Sequence, residues 1–178
     1  MRTYSTLTYA VENKILTLTL NRPEHLNAFT VEMSHELTEA FQTASQDDDV
    51  GVIVVTGAGK AFCAGMDLGV GGNVFGLNTQ MHPTLEDMQD KLDDADMANG
   101  VRDSGGKVVL AMYECKKPII GAINGAAVGI GATMTCAMDI RFACEKTRVG
   151  FVFNKIGITP EACSSWFLPR LVGLPTAL

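Results

Sequence analysis

One stretch constrains this chain more than any other: Pro118 to Asp139, PIIGAINGAAVGIGATMTCAMD. From Ile119 to Met138 it holds twenty uncharged residues. It opens on an apolar run (Ile119, Ile120, Ala122, Ile123) and then passes Gly121, Gly125, Gly129 and Gly131. A buried strand, a glycine turn and a helix is the expected local structure. Glycines there let the backbone approach another group and turn its N–H groups outward, and a helix start adds a partial positive charge. Such a place suits a developing negative charge. A membrane-spanning helix would need a similar length of apolar sequence, but four glycines and Asn124 make this a poor one. A dinucleotide site fails as well, because the residue three beyond Gly131 is Met134 and GxGxxG is not completed. A strand and helix with glycines only for close packing stays open.

At 178 residues the chain fits a single domain, 1–178, with room for a sizeable core. A net charge of −6 without any Lys/Arg cluster gives no footprint for nucleic acid or an anionic membrane. Cys63, Cys115, Cys136, Cys144 and Cys163 are odd in number and show no CxxC spacing, which suggests neither a disulfide framework nor a zinc site. Reduced, mostly buried thiols are expected. The N-terminus has neither the apolar segment of a signal peptide nor an arginine-rich transit pattern, so the expected address is cytoplasmic.

Along the chain, Leu7–Val11 and Ile15–Leu20 alternate apolar and polar residues around Glu12-Asn13-Lys14, a hairpin signal. Thr30 is placed to cap a helix with apolar positions Val31, Met33, Leu37, Ala40, Phe41 and Ala44. The β-branched run Val50–Thr56 predicts a strand buried on both faces. A second glycine-rich strand exit, Gly57–Leu68, does not satisfy the phosphate-loop pattern, and Asp67 in it suits a cap or a local backbone bond. Residues 69–81 read as a loop and Pro83–Tyr113 as two helices broken near Asn99-Gly100 and Ser104-Gly105-Gly106. Ile140–Ala143 and Val149–Phe153 read as strands. A helix capped by Thr159 is expected to carry Pro160 and Glu161 in its first turn and to end at Gly173 and Pro175.

Five motifs in order, NRPEHLNAF, FCAGMDL, GAAVGIGAT, CAMDIRFA and GITPEACSSWFLPRLVG, resemble the enoyl-CoA hydratase/isomerase (crotonase) superfamily over essentially the whole chain. The resemblance implies an α/β fold, a spiral of repeated ββα units whose C-terminal helical part is missing from this chain. It implies an acyl-CoA thioester as substrate, no cofactor beyond the coenzyme A of that substrate, and a homotrimer or hexamer. By motif position, the thioester oxygen would sit between the backbone N–H groups of Met66 and Ile130. CoA would be recognised along Ala64, Gly65, Met66, Asp67 and Leu68, with Gly129 and Ile130 completing the substrate site. Neutral donors aimed at one oxygen stabilise an enolate more than the starting carbonyl.

Hydratases of the family use two glutamates, and the corresponding positions here are Thr133 and Phe153. Neither titrates, which puts two-carboxylate water activation in doubt. Glu161, in TPEACSSWFLP, resembles the catalytic glutamate of peroxisomal-type Δ3,Δ2-enoyl-CoA isomerases, which moves a proton between C2 and C4. Phe153, Ile158, Trp166 and Phe167 are the apolar neighbours expected to raise its pKa. A merely structural acid at a helix start is the competing reading of Glu161. Another crotonase reaction, hydration included, and a non-catalytic acyl-CoA-binding member remain as alternatives. His25, His35 and His82 show no metal-binding spacing, and no metal is expected. Asp139 reads as a structural hydrogen-bonding residue, and no histidine follows Cys163, Ser164 or Ser165 to activate a nucleophile.

Overall fold

The alternating N-terminal residues pair as a hairpin. In the computed structural model, which describes residues 3–91 and 93–178, β1 (Leu7–Glu12) and β2 (Ile15–Leu20) run antiparallel from Leu7↔Leu20 to Glu12↔Ile15. Asn13 and Lys14 close the turn at φ 51° and 64°, the two-residue geometry that matches strand twist. The helix after it, α1 (Val31–Gln46), starts where a cap is available: the Thr30 side chain accepts the Met33 N–H. Met33, Leu37, Ala40, Phe41 and Ala44 are its buried stripe.

The next strands come in pairs that divide between two sheets. β3 (Val52–Gly57), β5 (Ile119–Ile123) and β7 (Ile140–Ala143) join the hairpin in parallel, in the order β1-β2-β3-β5-β7. Their sequence partners β4 (Ala61–Cys63), β6 (Ala126–Val128) and β8 (Arg148–Gly150) form a second parallel sheet, β4-β6-β8. Parallel neighbours need crossovers. Those crossovers are α2 (Leu85–Asp90), α3 (Ala95–Val101) and α4 (Ser104–Glu114) after β4, and α5 (Ile130–Cys136) after β6. After β8 come α6 (Ser164–Val172) and α7 (Leu174–Ala177). The repeat is therefore ββα: the first pair stays together in the larger sheet, and each later pair gives one strand to each sheet. Leu16, Leu18, Leu20, Ile53, Val55 and Ile119 form one buried cluster with α1 and with Val108, Val109 and Met112 of α4.

Two amides, the buried Asn27 and the half-buried Asn124, hold the strand exits together. Asn27 Nδ2 donates to Ala58 O and Ala61 O, both at 2.9 Å, while its Oδ1 accepts from Arg22 N. Asn124 bridges Gly57 N, Gly57 O and Gly59 O. Asp139 Oδ2 accepts from Ile119 N at 2.8 Å, the structural role expected of it.

Several expectations need correction. Only alternate residues of β3 are fully buried, so one face of the sheet is less covered than its β-branched run suggests. Residues 83–113 hold three helices rather than two. Asp94 and Asp103 each cap one through backbone N–H groups, and Ser104-Gly105-Gly106 opens α4 instead of breaking it. The strand expected over Val149–Phe153 is Arg148–Gly150, with Phe153 in a 3-10 turn. The short β6 intervenes between the glycine turn and α5. The five cysteines are free, as expected, but only Cys63 and Cys136 are buried and Cys144 is exposed. No helix among the described residues is long and apolar enough to cross a membrane.

Candidate active site

The two glycine turns meet. Gly65 stands at φ +105° and Gly129 at φ +53°, conformations that L side chains rarely adopt. A β-carbon on Gly129 would lie 3.8 Å from Gly65 Cα, and one on Gly65 would lie 3.2 Å from Val128 O. The exits of β4 and β6 are thus in backbone contact.

On the first turn, Phe29 pairs with Met66 as a parallel bridge: Phe29 N donates to Gly65 O and Asp67 N donates to Phe29 O, both at 2.8 Å. Those bonds use the groups flanking Met66, so its own N–H faces the other way, as strand alternation requires. On the second turn, Ile130 is the first residue of α5, where an N–H has no intrahelical acceptor. Neither N–H has an acceptor among the hydrogen bonds of the described residues.

Both turns border a cavity of about 130 Å³. Ala64, Gly65, Met66, Leu68, Gly129 and Ile130 line it, together with Phe153, Ile158 and Glu161. Asp67, expected among the substrate residues, does not line it. Its carboxylate is taken by Arg22 Nη2 at 2.9 Å and by Gly69 N at 3.2 Å, which fastens the Met66 turn to the N-terminal segment. Trp166 and Phe167 also lie off the cavity: Trp166 is exposed under the Arg170 guanidinium, and Phe167 packs edge-on against Tyr113.

Glu161 enters from a backbone that the sequence reading did not foresee. α6 begins only at Ser164, so Thr159 does not cap it and Glu161 precedes it. Ala162 and Cys163 stand at φ 50° and 57°. Non-glycine residues held there cost about 1–3 kcal/mol each, and such strain clusters at functional sites. The Glu161 carboxyl lies beside Thr133, whose hydroxyl donates its one proton either to Glu161 Oε1 at 3.0 Å or to Ile130 O at 3.3 Å. Burial pushes the Glu161 carboxyl up to about 7, the negative charge of Asp103 adds to the rise, and the Thr133 hydrogen bond opposes it. The neighbouring Cys63 thiol, wholly buried, is pushed up to about 12 by burial. It is inert packing rather than a nucleophile.

Asp103 and Gly105 were not singled out from sequence, and Thr133 was read only as the absence of a glutamate. A β-carbon on Gly105 would lie 2.6 Å from Ile130 Cδ1, 2.9 Å from Glu161 Oε2 and 3.0 Å from Asp103 Oδ1. Gly105 is thus the floor under the carboxyl. The Asp-Ser-Gly-Gly run was visible, but its contact with Glu161 is long-range. His25, His35 and His82 are exposed, and no cluster of metal-ligating side chains occurs among the described residues.

Comparison with known proteins agrees with this architecture. The chain is 39% identical over 164 residues to the enoyl-CoA hydratase ACTT3 of Alternaria alternata, covering 92% of this chain and 49% of that protein. It is 34% identical over 168 residues to the 1,2-epoxyphenylacetyl-CoA isomerase of Escherichia coli K12, covering 94% of this chain and 58% of that one. The chain thus spans about half the length of these curated relatives. A crystal structure of an enoyl-CoA hydratase/isomerase from Pseudoalteromonas atlantica T6c superposes with a TM-score of 0.76 at 31% identity, over 97% of this chain and 60% of that one. The mixed α/β fold is therefore crotonase-like. The sequence profile of the enoyl-CoA hydratase/isomerase family matches residues 15–177, and the chain belongs to that family.

Proposed function

We propose that this chain shifts the double bond of an enoyl-CoA from Δ3 to Δ2, with Glu161 as the single proton carrier. One observation carries the reading: Glu161 is the only carboxylate among the described residues that line the cavity between the two turns. The thioester oxygen is bound by the Met66 and Ile130 N–H groups, which makes the C2 protons acidic. Glu161, ionised, removes one of them, and the electron pair moves onto the oxygen to give a dienolate. The protonated Glu161 then returns the proton to C4, which leaves the double bond between C2 and C3. Losing one of two such donors typically costs about 3–4 kcal/mol of transition-state stabilisation. A carboxyl near 7 is matched to the task, because it is half ionised at neutral pH and basic enough to accept a carbon-bound proton. The backbone of Ala64 to Leu68 is the proposed CoA contact.

Hydration is the second reading, favoured by the similarity to the enoyl-CoA hydratase ACTT3. It would require Glu161 to activate water without a second carboxylate in the cavity. A 3-enoyl-CoA should give the conjugated 2-enoyl product, and crotonyl-CoA in water should stay unhydrated. If 3-hydroxyacyl-CoA forms and no isomer does, hydration replaces isomerisation. Binding without any product would indicate a non-catalytic member. Assembly as a homotrimer or hexamer belongs to the same proposal, supported by the exposed Ile140, Phe142 and Val149 on the last strands. Sedimentation velocity would detect it.

A further inference from the structure

Outside the roles above, the charged group that bears on Glu161 is Asp103. It caps α4, with Oδ1 accepting from Gly106 N at 2.8 Å. Both Asp103 Oδ1 and Glu161 Oε2 lie within 3.0 Å of the point where a Gly105 side chain would begin. The two oxygens are therefore within about 6 Å of each other, the range in which like charges disfavour one another's ionisation. Asp103 does not line the cavity, so it would not touch substrate. We propose that Asp103 acts on the reaction through Glu161, its charge opposing that of the Glu161 carboxylate across the glycine floor.

Three observations place Asp103 in this role. The cap bond fixes the carboxylate, so its charge does not swing away. Gly105 puts no side chain of its own between the two groups. Ser34 Oγ, donating to Ser104 O at 2.7 Å, anchors the start of α4 to α1 and holds that geometry from the far side. The other groups acting here are few. Thr133 faces Glu161 from α5, the un-ionised Cys63 lies on β4, Cys163 is on the same turn, and Arg102 precedes Asp103 and acts on Cys163. Asp103 is thus a positioning residue, one that sets how readily Glu161 holds its proton. The inference rests on Glu161 being the proton carrier.

Asp103→Asn separates charge from structure, because asparagine caps a helix about as well as aspartate. The Glu161 carboxyl carbon can be titrated by NMR in this chain, assigned through Glu161→Gln, with and without Asp103→Asn. The midpoint should start near 7 and fall by about half a pH unit or more in the variant, with burial still carrying the larger share. With 3-enoyl-CoA, the acid limb of kcat/KM should move down equally, the ionised fraction at pH 6 rising roughly two- to threefold. The plateau at high pH should fall, since the base is weaker. Asp103→Ala, which also removes the cap, should show the same titration shift with lower stability. An unmoved Glu161 midpoint in both variants would overturn the inference. A moved midpoint with no isomerisation in any form would sustain the charge coupling, overturn its part in the reaction and count against the isomerase reading.

Discussion

Glu161 is a carboxyl whose surroundings favour its neutral form, and that has a thermodynamic signature besides any catalytic one. Its folded-state pKa of about 7 lies above the ordinary 4.5. Between those values the folded protein therefore binds more protons than the unfolded chain. Glu161 contributes stability that is fully present below about 4.5 and is lost as pH rises through about 7. The upper bound is about 3 kcal/mol, reduced by solvent screening because the side chain is not fully buried. Chemical denaturation across that window should show the decline, and Glu161→Gln should flatten it. Thr133 works in the opposite sense to Asp103, since its hydrogen bond favours the ionised carboxylate. Thr133→Val should accordingly raise the Glu161 midpoint and move the acid limb of the rate profile up. Of these residues, Glu161 was legible from its motif. Thr133 was legible only as a missing acid, because a hydroxyl's partner is a matter of tertiary contact.

At the level of elements, the site depends on two close approaches that leave no room for a β-carbon. One on Gly131 would lie 2.3 Å from Cys63 O, a backbone atom that can yield only if β4 moves. One on Gly105 would press mainly on side-chain atoms of Ile130, Glu161 and Asp103. Gly131→Ala should therefore destabilise by about 3 kcal/mol or more in thermal unfolding, while Gly105→Ala should cost about 1–2 kcal/mol yet lower kcat at least tenfold by displacing Glu161. Equal losses of stability with unchanged kcat would contradict this assignment. The hairpin, the Thr30 cap and the existence of β3 could be read in advance, because alternation, capping oxygens and β-branched runs act locally. The start of α6 could not. Ala162 and Cys163 have no preference for left-handed backbone, and only the packing that aims Glu161 into the cavity holds them there. Similarly, β6 has three residues, too few for a period to register.

Across the molecule, the ββα repeat brings together groups that are far apart in sequence. In each pair after the hairpin, the first strand extends the larger sheet and the second leads to the shared cavity. Arg22 ties the N-terminal segment to this arrangement through Asp67, a partly buried pair. Arg22→Ala would leave that carboxylate without its cation. It should cost about 2 kcal/mol or more and loosen the Met66 turn, so kcat should fall more than KM rises. A change confined to KM would mean that the pair serves substrate binding alone.

The most direct test of single-base proton transfer follows deuterium placed at C2 of a 3-enoyl-CoA. The account predicts 2-enoyl-CoA carrying part of that label at C4, and loss of turnover by about a hundredfold to ten-thousandfold in Glu161→Gln. Product with no deuterium at C4, formed as fast by Glu161→Gln as by the unaltered chain, would contradict it.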